Sequence, residues 1–399
     1  MADYYTFHKF TIEAHGHEVS IVGKPGVWSW DGLNPGTAAL LEVAEVGPGD
    51  DVLDLGCGTG VAGAVAGVQA AQGSVRLVDC NAAAAACAER TLAANGIADG
   101  EVRLADGVSG LAPGSFDLVL SHLPRGRAVQ EELIRGAAWV LRPGGRLTLV
   151  AHKRAGVKGA IACAREVFGR CGVVRQKKGY HVALAERPAG LQPQPPADSA
   201  IRRTVALDGA ETTLVSKPGV FAWDRVDAGT AALVGAMEIG TGERVLDLGC
   251  GTGLAGLAAA RRATEGRVVL VDADVRAVES ARRTLAANGV ANAEVLVSDC
   301  GSAVSARRSD AGQFDVVITN PPFHQGVGVE YAVARQFVRD AARVLGRGGR
   351  LFLVANRFLR YGELIREVFG NVETAYADSR YHVLRAVAGR AETGRWVDW

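Results

Sequence analysis

The sequence predicts two tandem α/β domains, each a doubly wound, Rossmann-like fold around a mostly parallel sheet. Lys24–Gly60 is repeated without a gap at Lys217–Gly253, and shorter matches follow in both halves. Within each half, apolar runs such as RVLDLG, RVVLVD and FDVVIT alternate with alanine-rich helical stretches. Strands that are apolar along their whole length are buried on both faces, which is typical of parallel sheets covered by helices. The repeat is far longer than that of a solenoid and indicates a duplicated domain.

The segment between the two copies predicts the domain boundaries. Arg187–Ala200 reads RPAGLQPQPPADSA and is rich in proline, alanine and glutamine. Such a composition is typical of an extended, exposed linker. We therefore expect a first domain at 1–187, a linker at 188–200 and a second domain at 201–399.

The composition excludes several classes of protein. The chain has 399 residues, 48% of them hydrophobic, and a net charge of +1. No run of about 18 apolar residues predicts a membrane span, and the start MADYYTFHKF lacks the pattern of a signal peptide. Its seven cysteines form no C-x-x-C pair, which argues against a zinc site or a disulfide framework. We expect a cytoplasmic monomer with no membrane or metal partner.

A glycine-rich turn follows the first strand of each copy. In the second copy it reads VLDLGCGTG, ending at Gly253. Such a turn lets the backbone approach a ligand, and the following helix start favours polar or negative groups. The turn fits both the dinucleotide pattern G-x-G-x-x-G and the D-x-G-x-G-x-G loop of S-adenosylmethionine enzymes. Two further acids follow later strands: Asp272 could hold a ribose and Asp299 an adenine amine. The first copy carries counterparts of Asp247, Asp272 and Asp299, namely Asp54, Asp79 and Asp106.

Asn320-Pro321-Pro322-Phe323 follows the fourth strand of the second copy and favours an amino-methyltransferase. Ligands of open α/β sheets lie at the carboxyl ends of the strands, where this turn is expected. The exocyclic amine of a nucleobase offers two N–H donors. The side-chain oxygen of Asn320 could accept one and the backbone carbonyl of Pro321 the other, while Phe323 could stack on a flipped-out base. We expect these four residues to be catalytic through positioning.

Taken together, DLGCGTG, TLAANGV, NPPFHQG and KPGVFAWDRVDAGT resemble the RsmC/RlmG-type rRNA guanine-N2 methyltransferases. The resemblance covers both copies and implies class I S-adenosylmethionine-dependent methyltransferase domains, with ribosomal RNA or a ribosomal subunit as the partner. It implies that Gly219–Thr230 covers the cofactor, with Phe221 and Thr230 as contacts, and that Asp272 and Asp299 hold the ribose and the adenine. The remaining cofactor-binding residues that it implies are Asp247, Gly249, Cys250, Gly251, Thr252, Gly253 and Cys300.

The first copy is expected to dock RNA and not to catalyse. It keeps the glycine loop Asp54–Gly60, but His122 stands where the second copy has Asn320, and a neutral imidazole does not reproduce an amide oxygen flanked by prolines. Between Arg125 and Arg187 the chain has fourteen lysines and arginines against four acids, which predicts a phosphate-binding surface. Its predicted RNA-binding residues are Arg125, Arg127, Lys153, Arg154, Lys158, Arg175, Lys177 and Lys178.

Three alternatives are consistent with parts of the pattern. The same chemistry could act on an adenine N6 amine or a protein glutamine amide, although such enzymes usually carry tyrosine in the last motif position. A non-catalytic RNA assembly factor could keep bound cofactor, but it would not need the intact Asn320 turn. A nicotinamide oxidoreductase would explain the glycine loop and leave that turn unexplained.

Overall fold

The computed structural model describes residues 3–305, 314–322 and 329–389. The chain divides into two compact units, Met1–Ser199 and Ala200–Trp399. The proposed linker at 188–200 lies in a stretch with neither helix nor strand, between Glu186 and Ile201. Within the described ranges, none of the helices is long and apolar enough to cross a membrane.

The first unit begins with a two-stranded antiparallel hairpin and continues as an alternating α/β domain. Its strands are β1 His8–Ala14, β2 His17–Gly23, β3 Asp51–Leu55, β4 Ser74–Asp79, β5 Gly100–Leu104, β6 Phe116–His122, β7 Leu141–His152, β8 Cys171–Lys177 and β9 Tyr180–Glu186. Its helices are α1 Pro35–Leu41, α2 Val61–Gln69, α3 Ala82–Ala94, α4 Arg127–Val140 and α5 Val157–Phe168, with a short 3-10 helix at Lys153–Ala155.

The second unit repeats this order. After the hairpin of β10 Ile201–Leu207 and β11 Ala210–Ser216 come the strands β12 Arg244–Leu248, β13 Arg267–Asp272, β14 Ala293–Val297, β15 Phe314–Thr319, β16 Leu345–Asn356, β17 Glu373–Ala377 and β18 Tyr381–Val387. The helices are α6 Ala228–Ala236, α7 Leu254–Arg262, α8 Val275–Ala287, α9 Ser302–Ser305, α10 Val329–Val344 and α11 Tyr361–Phe369.

Each unit is built around a seven-stranded sheet of the same topology. The strand order is β5-β4-β3-β6-β7-β9-β8 in the first and β14-β13-β12-β15-β16-β18-β17 in the second. Among the described strands of these two sheets, only β9 and β18 run antiparallel to both of their neighbours. The predicted fold class, two doubly wound and mostly parallel domains, is therefore confirmed.

The central strands β12 and β15 form because their valine, isoleucine and leucine side chains are buried on both faces of the sheet. Val245, Leu246 and Leu248 of β12 have no exposed surface, and neither do Val316, Val317 and Ile318 of β15. Parallel pairing aligns β12 with β13 on one side and β15 on the other. Because β12, β13, β14 and β15 all run in the same direction, the segments that follow them meet at one edge of the sheet.

Candidate active site

The glycine loop after β12 is held in a left-handed conformation by hydrogen bonds to the neighbouring strand. Gly249, Gly251 and Gly253 have φ angles of 73°, 53° and 78°, which side chains with a Cβ rarely adopt. The backbone N–H groups of Gly249 and Cys250 both donate to the Val271 carbonyl, at 2.9 and 3.0 Å. The loop therefore exposes backbone at the start of α7, as a close-approaching ligand requires.

Cys250 and Gly256 support this loop without chemistry of their own. Burial, aided by the charges of Asp272 and Asp247, raises the pKa of the Cys250 thiol well above its usual value, so the thiol stays protonated. A Cβ added at Gly256 would lie 2.3 Å from a Leu270 methyl group. Glycine there allows α7 to pack directly on β13, which brings the helix N-terminus to the loop.

Asp272 lies at the end of β13 and ties the loop to the next helix. Its Oδ2 accepts from the Gly251 N–H at 2.9 Å and its Oδ1 from the Asp274 N–H at 3.0 Å. Burial raises the pKa of this carboxyl to about 6, against the lowering effect of both N–H groups. Each carboxylate oxygen has more than one lone pair, so acceptor capacity is left for a ribose hydroxyl.

Asp247 lies beneath the loop. Its side chain is 2% exposed, and Oδ2 has no hydrogen-bond partner among the residues that the structure describes. Burial raises the pKa of Asp247 to about 7, and the nearby Asp272 carboxylate adds to the increase. A buried carboxyl whose pKa is raised in this way, next to a glycine loop, is typical of a functional site.

The turn after β14 carries Asp299 and Cys300. Cys300 is a non-glycine residue at φ 50°, and its carbonyl accepts from the Ser298 hydroxyl at 2.6 Å. The next N–H, of Gly301, donates at 2.9 Å to Oδ2 of Asp340, a fully buried residue of α10. Asp340 also accepts from the Gln336 amide at 2.8 Å. Asp340, which sequence reasoning missed, therefore fixes the turn that presents Asp299.

Asn320 immediately follows β15, and hydrogen bonds donated by its side-chain nitrogen orient the amide. Its Nδ2 donates to the Thr230 hydroxyl at 3.2 Å and to Oδ2 of Asp227 at 3.4 Å. The amide must face Asp227 with its NH2 group because an ionised carboxylate only accepts. The Asn320 Oδ1 atom is buried and has no hydrogen-bond partner within the described part of the chain. Such an orphaned acceptor costs free energy unless a ligand donates to it.

The remaining predicted residues of the turn are only partly described. Pro321 is buried and Pro322 is exposed. Phe323, predicted to stack on the base, lies outside the described residues, as does His324. Their assigned roles stay predictions.

The segment Gly219–Thr230, which is expected to cover the cofactor, contacts Asn320 through Asp227 and Thr230. Phe221 is 45% exposed, next to Ala222 in the left-handed region at φ 50°. Asp227 caps α6 by accepting from the Thr230 N–H at 3.1 Å. The hydroxyl of Thr230 separately accepts from the Asn320 nitrogen, a role that the sequence did not predict for it.

Comparison with known proteins identifies the family. The family model described as "Methyltransferase small domain" matches residues 18–184 and 211–385. Ribosomal RNA small subunit methyltransferase C of Stutzerimonas stutzeri is 38% identical over 288 residues, covering 70% of this chain and 82% of the relative. The protein of the same name from Pseudomonas aeruginosa strain LESB58 is 36% identical over 277 residues, covering 68% and 80%. The chain belongs to the RsmC-type methyltransferase family.

A solved structure of this family is similar over almost the whole chain. It is the 16S rRNA N2-guanine methyltransferase RsmC of T. thermophilus, solved in complex with AdoMet and guanosine. Its TM-score is 0.81 at 32% sequence identity, with 96% of this chain and 98% of that chain covered. The expected enzyme class, an S-adenosylmethionine-dependent methyltransferase, and the expected cofactor are confirmed. The glycine loop fits a bound cofactor. The Asn320 oxygen, which has no hydrogen-bond partner among the described residues, fits the amine of a methyl acceptor.

The eight predicted RNA-binding residues in the first domain of this RsmC-type protein fall into two groups. Arg125, Lys153, Arg154, Lys158 and Lys178 are exposed. The other three pair with acids: Arg175 lies 2.9 Å from Glu42, Lys177 also binds Glu42, and Arg127 lies 2.6 Å from Glu131. Lys177 and Arg175 lower the pKa of Glu42. The first group is better placed for phosphate, because the second would have to give up a carboxylate partner.

Within the described residues, no three His, Cys, Asp or Glu side chains come together in a way that could hold a metal ion. The seven cysteines are free, and six of them are buried.

Proposed function

We propose that this protein methylates the exocyclic N2 amine of a guanine in small-subunit ribosomal RNA, and that its second domain carries the reaction. The observation that supports this most directly is the buried Oδ1 of Asn320 at the end of β15, which has no hydrogen-bond partner among the residues that the structure describes. The amide nitrogen is already held by Thr230 and Asp227, so the oxygen is fixed in direction before any substrate arrives. Such preorganised acceptors are what positioning catalysis needs.

The guanine amine and the Asn320 turn are complementary donors and acceptors. The amine is planar, with its lone pair delocalised into the ring, and has two N–H donors. Asn320 Oδ1 accepts one of them, and the backbone carbonyl of Pro321 accepts the other. The two prolines restrict the turn, since each has a fixed φ and no N–H. Held this way, the amine keeps one face open toward the methyl donor, and Phe323 stacks on the extruded base.

The cofactor is held by the segments that follow the three preceding strands. Gly249, Cys250, Gly251, Thr252 and Gly253 present backbone to it, Asp272 accepts from the ribose, and Asp299 with Cys300 receives the adenine. S-adenosylmethionine supplies a methyl group that is already activated by the sulfonium charge. The protein therefore needs to orient the amine and exclude water, and no strong base is required for the transfer step.

The first domain docks the RNA and does not transfer a methyl group. His122 replaces Asn320 there, and burial lowers its pKa to about 4, so its imidazole is neutral at physiological pH. The exposed Lys153, Arg154, Lys158 and Lys178 contact phosphates, together with Arg125. We also propose that the enzyme is cytoplasmic and monomeric, and chromatography tests its oligomeric state. Its substrate is either rRNA or an assembled subunit, and assays on both distinguish these two.

The test is direct. The full chain is incubated with methyl-labelled S-adenosylmethionine and total rRNA, and the labelled nucleotide is mapped by nuclease digestion and mass spectrometry. We expect N2-methylguanosine in small-subunit rRNA. Label on adenine N6, label on protein glutamine, or no label on RNA despite normal cofactor binding would each overturn the proposal in favour of one of the alternatives.

A further inference from the structure

The first domain keeps a glycine loop of the same conformation as the second. Gly56, Gly58 and Gly60 have φ angles of 82°, 56° and 80°, against 73°, 53° and 78° in the second domain. The N–H groups of Gly56 and Cys57 donate to the Val78 carbonyl at 2.8 and 3.0 Å. A loop of this shape is costly for any residue with a Cβ, and it has been retained in the copy that lacks the Asn320 turn.

Asp79 is hydrogen-bonded to this loop as Asp272 is to the glycine loop of the second domain. Its Oδ2 accepts from the Gly58 N–H at 2.8 Å and its Oδ1 from the Asn81 N–H at 2.9 Å. The corresponding distances in the second domain are 2.9 and 3.0 Å. The carboxylate that is proposed to hold the ribose thus has a counterpart with the same partners and the same geometry.

The other acids and the cover segment are also duplicated. Burial raises the pKa of Asp54 to about 7, as it does for Asp247. After β5, the turn at Asp106 is closed by the Ser109 N–H at 3.1 Å, the same distance as Ser302 to Asp299. Trp28 stands at the position of Phe221 and is 55% exposed.

A second line of evidence is independent of this geometry. The methyltransferase small domain model matches residues 18–184 in their own right, over nearly the same length as 211–385. The resemblance of the first copy to the family therefore extends beyond the glycine loop.

The acceptor side is where the copies differ. His122 Nδ1 bonds the Thr37 hydroxyl at 3.0 Å, the counterpart of the Thr230–Asn320 bond. The His122 ring is packed edge-to-face against Trp28 and Tyr180, with centroids 4.7 and 5.6 Å apart. Phe221 and Tyr381 stand at the positions of Trp28 and Tyr180 in the second domain, so His122 is the ring that has no aromatic counterpart there. It occupies the position at which the second domain presents the amide oxygen of Asn320.

We propose that the first domain holds a second site for an S-adenosyl compound, which it binds without transferring a methyl group. The inference uses the assignment of the second-domain loop as the cofactor site, which is part of the proposed function. The duplicated loop and acids recognise the shared adenosine and amino-acid portions, and His122 offers no amide oxygen to an acceptor amine. S-adenosylmethionine and S-adenosylhomocysteine share this chemistry.

The experiment counts sites on the full chain. Equilibrium dialysis with labelled S-adenosylmethionine is run on the wild type and on the matched variants Asp79→Asn and Asp272→Asn. We expect two sites in the wild type and one in each variant, with methylation lost only in Asp272→Asn. One site that Asp272→Asn removes and Asp79→Asn leaves intact would overturn the second site and leave the proposed function standing. One site that only Asp79→Asn removes would instead overturn the cofactor assignment in the second domain.

A measurement on the wild-type protein tests the second site without depending on whether the variants fold. Hydrogen–deuterium exchange is followed with and without saturating ligand, and we expect slower exchange in the loops at 56–60 and at 249–253. Protection confined to 249–253 contradicts the second site. Parallel arms with S-adenosylhomocysteine and NAD identify the ligand: protection at 56–60 by either S-adenosyl compound supports the proposal, and protection there by NAD alone overturns it.

Discussion

The side-chain nitrogen of Asn320 lies 3.2 Å from the hydroxyl oxygen of Thr230, across ninety residues of sequence. The bond joins the end of β15 to the first turn of α6, and it turns the amide so that Oδ1 faces away from both. In the first domain, Thr37 and His122 make the equivalent bond at 3.0 Å. The connection between cover segment and strand end therefore belongs to the scaffold, and what the strand end presents is what differs.

Thr230→Val is expected to slow methylation without abolishing it. The change removes the main acceptor for the Asn320 nitrogen and leaves only the longer contact to Asp227. A displaced acceptor costs rate through misalignment, so we expect kcat to fall by about 10- to 100-fold. Single-turnover assays with labelled cofactor measure this, and Thr204→Val, at an exposed position of β10, is the control. An unchanged rate would mean that Asp227 alone orients the amide.

Asn320→Ala is expected to abolish methyl transfer while leaving cofactor affinity within a few-fold of the wild type. The variant loses the acceptor but none of the loop contacts around Gly251. Asn320→Asp should fail as well, because a second carboxylate next to Asp227 is repelled and cannot donate to it. Calorimetry and rate assays separate binding from chemistry. Asn371→Ala, whose side chain bonds only backbone near α11 and β18, is the matched control, and normal methylation by Asn320→Ala would remove this residue from the mechanism.

Cofactor affinity is expected to weaken at acid pH. Asp272 has a pKa of about 6 in the folded protein, and its ionised form is the one that accepts from loop N–H groups and ribose. Below pH 6 the ionised fraction falls tenfold per unit, so the dissociation constant should rise about tenfold per pH unit if binding needs that form. Calorimetric titrations between pH 5 and 8 test this. A flat profile would show that Asp272 binds equally well when protonated.

Asp247→Asn is expected to raise thermal stability more at pH 8 than at pH 5. The pKa of Asp247 in the folded protein, about 7, lies above the ordinary aspartate value of 3.8. The folded state therefore favours the proton, so this contribution to stability is complete below about pH 4 and is lost as pH rises through about 7. An amide removes the cost of the buried charge at the higher pH. Melting temperatures at both pH values give the comparison, and an equal or larger gain at pH 5 contradicts the assignment.

Asp340→Ala is expected to weaken cofactor binding by about tenfold through the turn it supports. Removing the carboxylate leaves the Gly301 N–H unpaired and frees the Asp299–Cys300 segment, whose left-handed residue needs support. Asp340→Asn, which keeps one acceptor, should lose less. Because Asp340 is bonded to the turn at Gly301 and acts through it, its effect should fall on affinity and leave the transfer rate at saturating cofactor nearly unchanged. A loss of rate with unchanged affinity would place its role elsewhere.

Reversing charge at Lys153, Arg154, Lys158 and Lys178 together is expected to weaken RNA binding. Each lost phosphate contact should reduce the salt slope of log K by roughly 0.7 to 0.9. Reversing Arg175 and Lys177 should cost less, since both already pair with Glu42. Filter binding over a range of salt concentrations measures both sets. Equal RNA affinity in wild type and the fourfold variant would leave these residues as a solvated surface.

Most of the fold followed from local patterns. The runs RVLDLG, RVVLVD and FDVVIT lie in β12, β13 and β15, and VRAVESARRTLAANG contains α8. The hairpins β1–β2 and β10–β11 were not predicted, although Asp208-Gly209, with φ angles of 54° and 73°, is a typical two-residue hairpin turn.

The site was predictable where its residues follow strand ends and was not where they meet through space. Asp272 and Asn320 are recognisable from position alone. Asp340 is an acid in the middle of a helix, and only the fold shows that it turns inward to Gly301. One sign of the Thr230–Asn320 bond is visible in the sequence, because a threonine occurs at the same place in both copies. The residue that it contacts differs, since it is Asn320 in one copy and His122 in the other.

The orphaned oxygen at the end of β15 stands on a strand whose hydrogen bonds and packing do not depend on it. Strand β6 ends in an imidazole and keeps the same neighbours in the sheet. Acceptor chemistry in this architecture can thus be gained, altered or discarded by substitutions at a single strand terminus while folding is preserved. Duplication gave this lineage two such termini to vary, and a protein engineer seeking a new target amine has the same freedom.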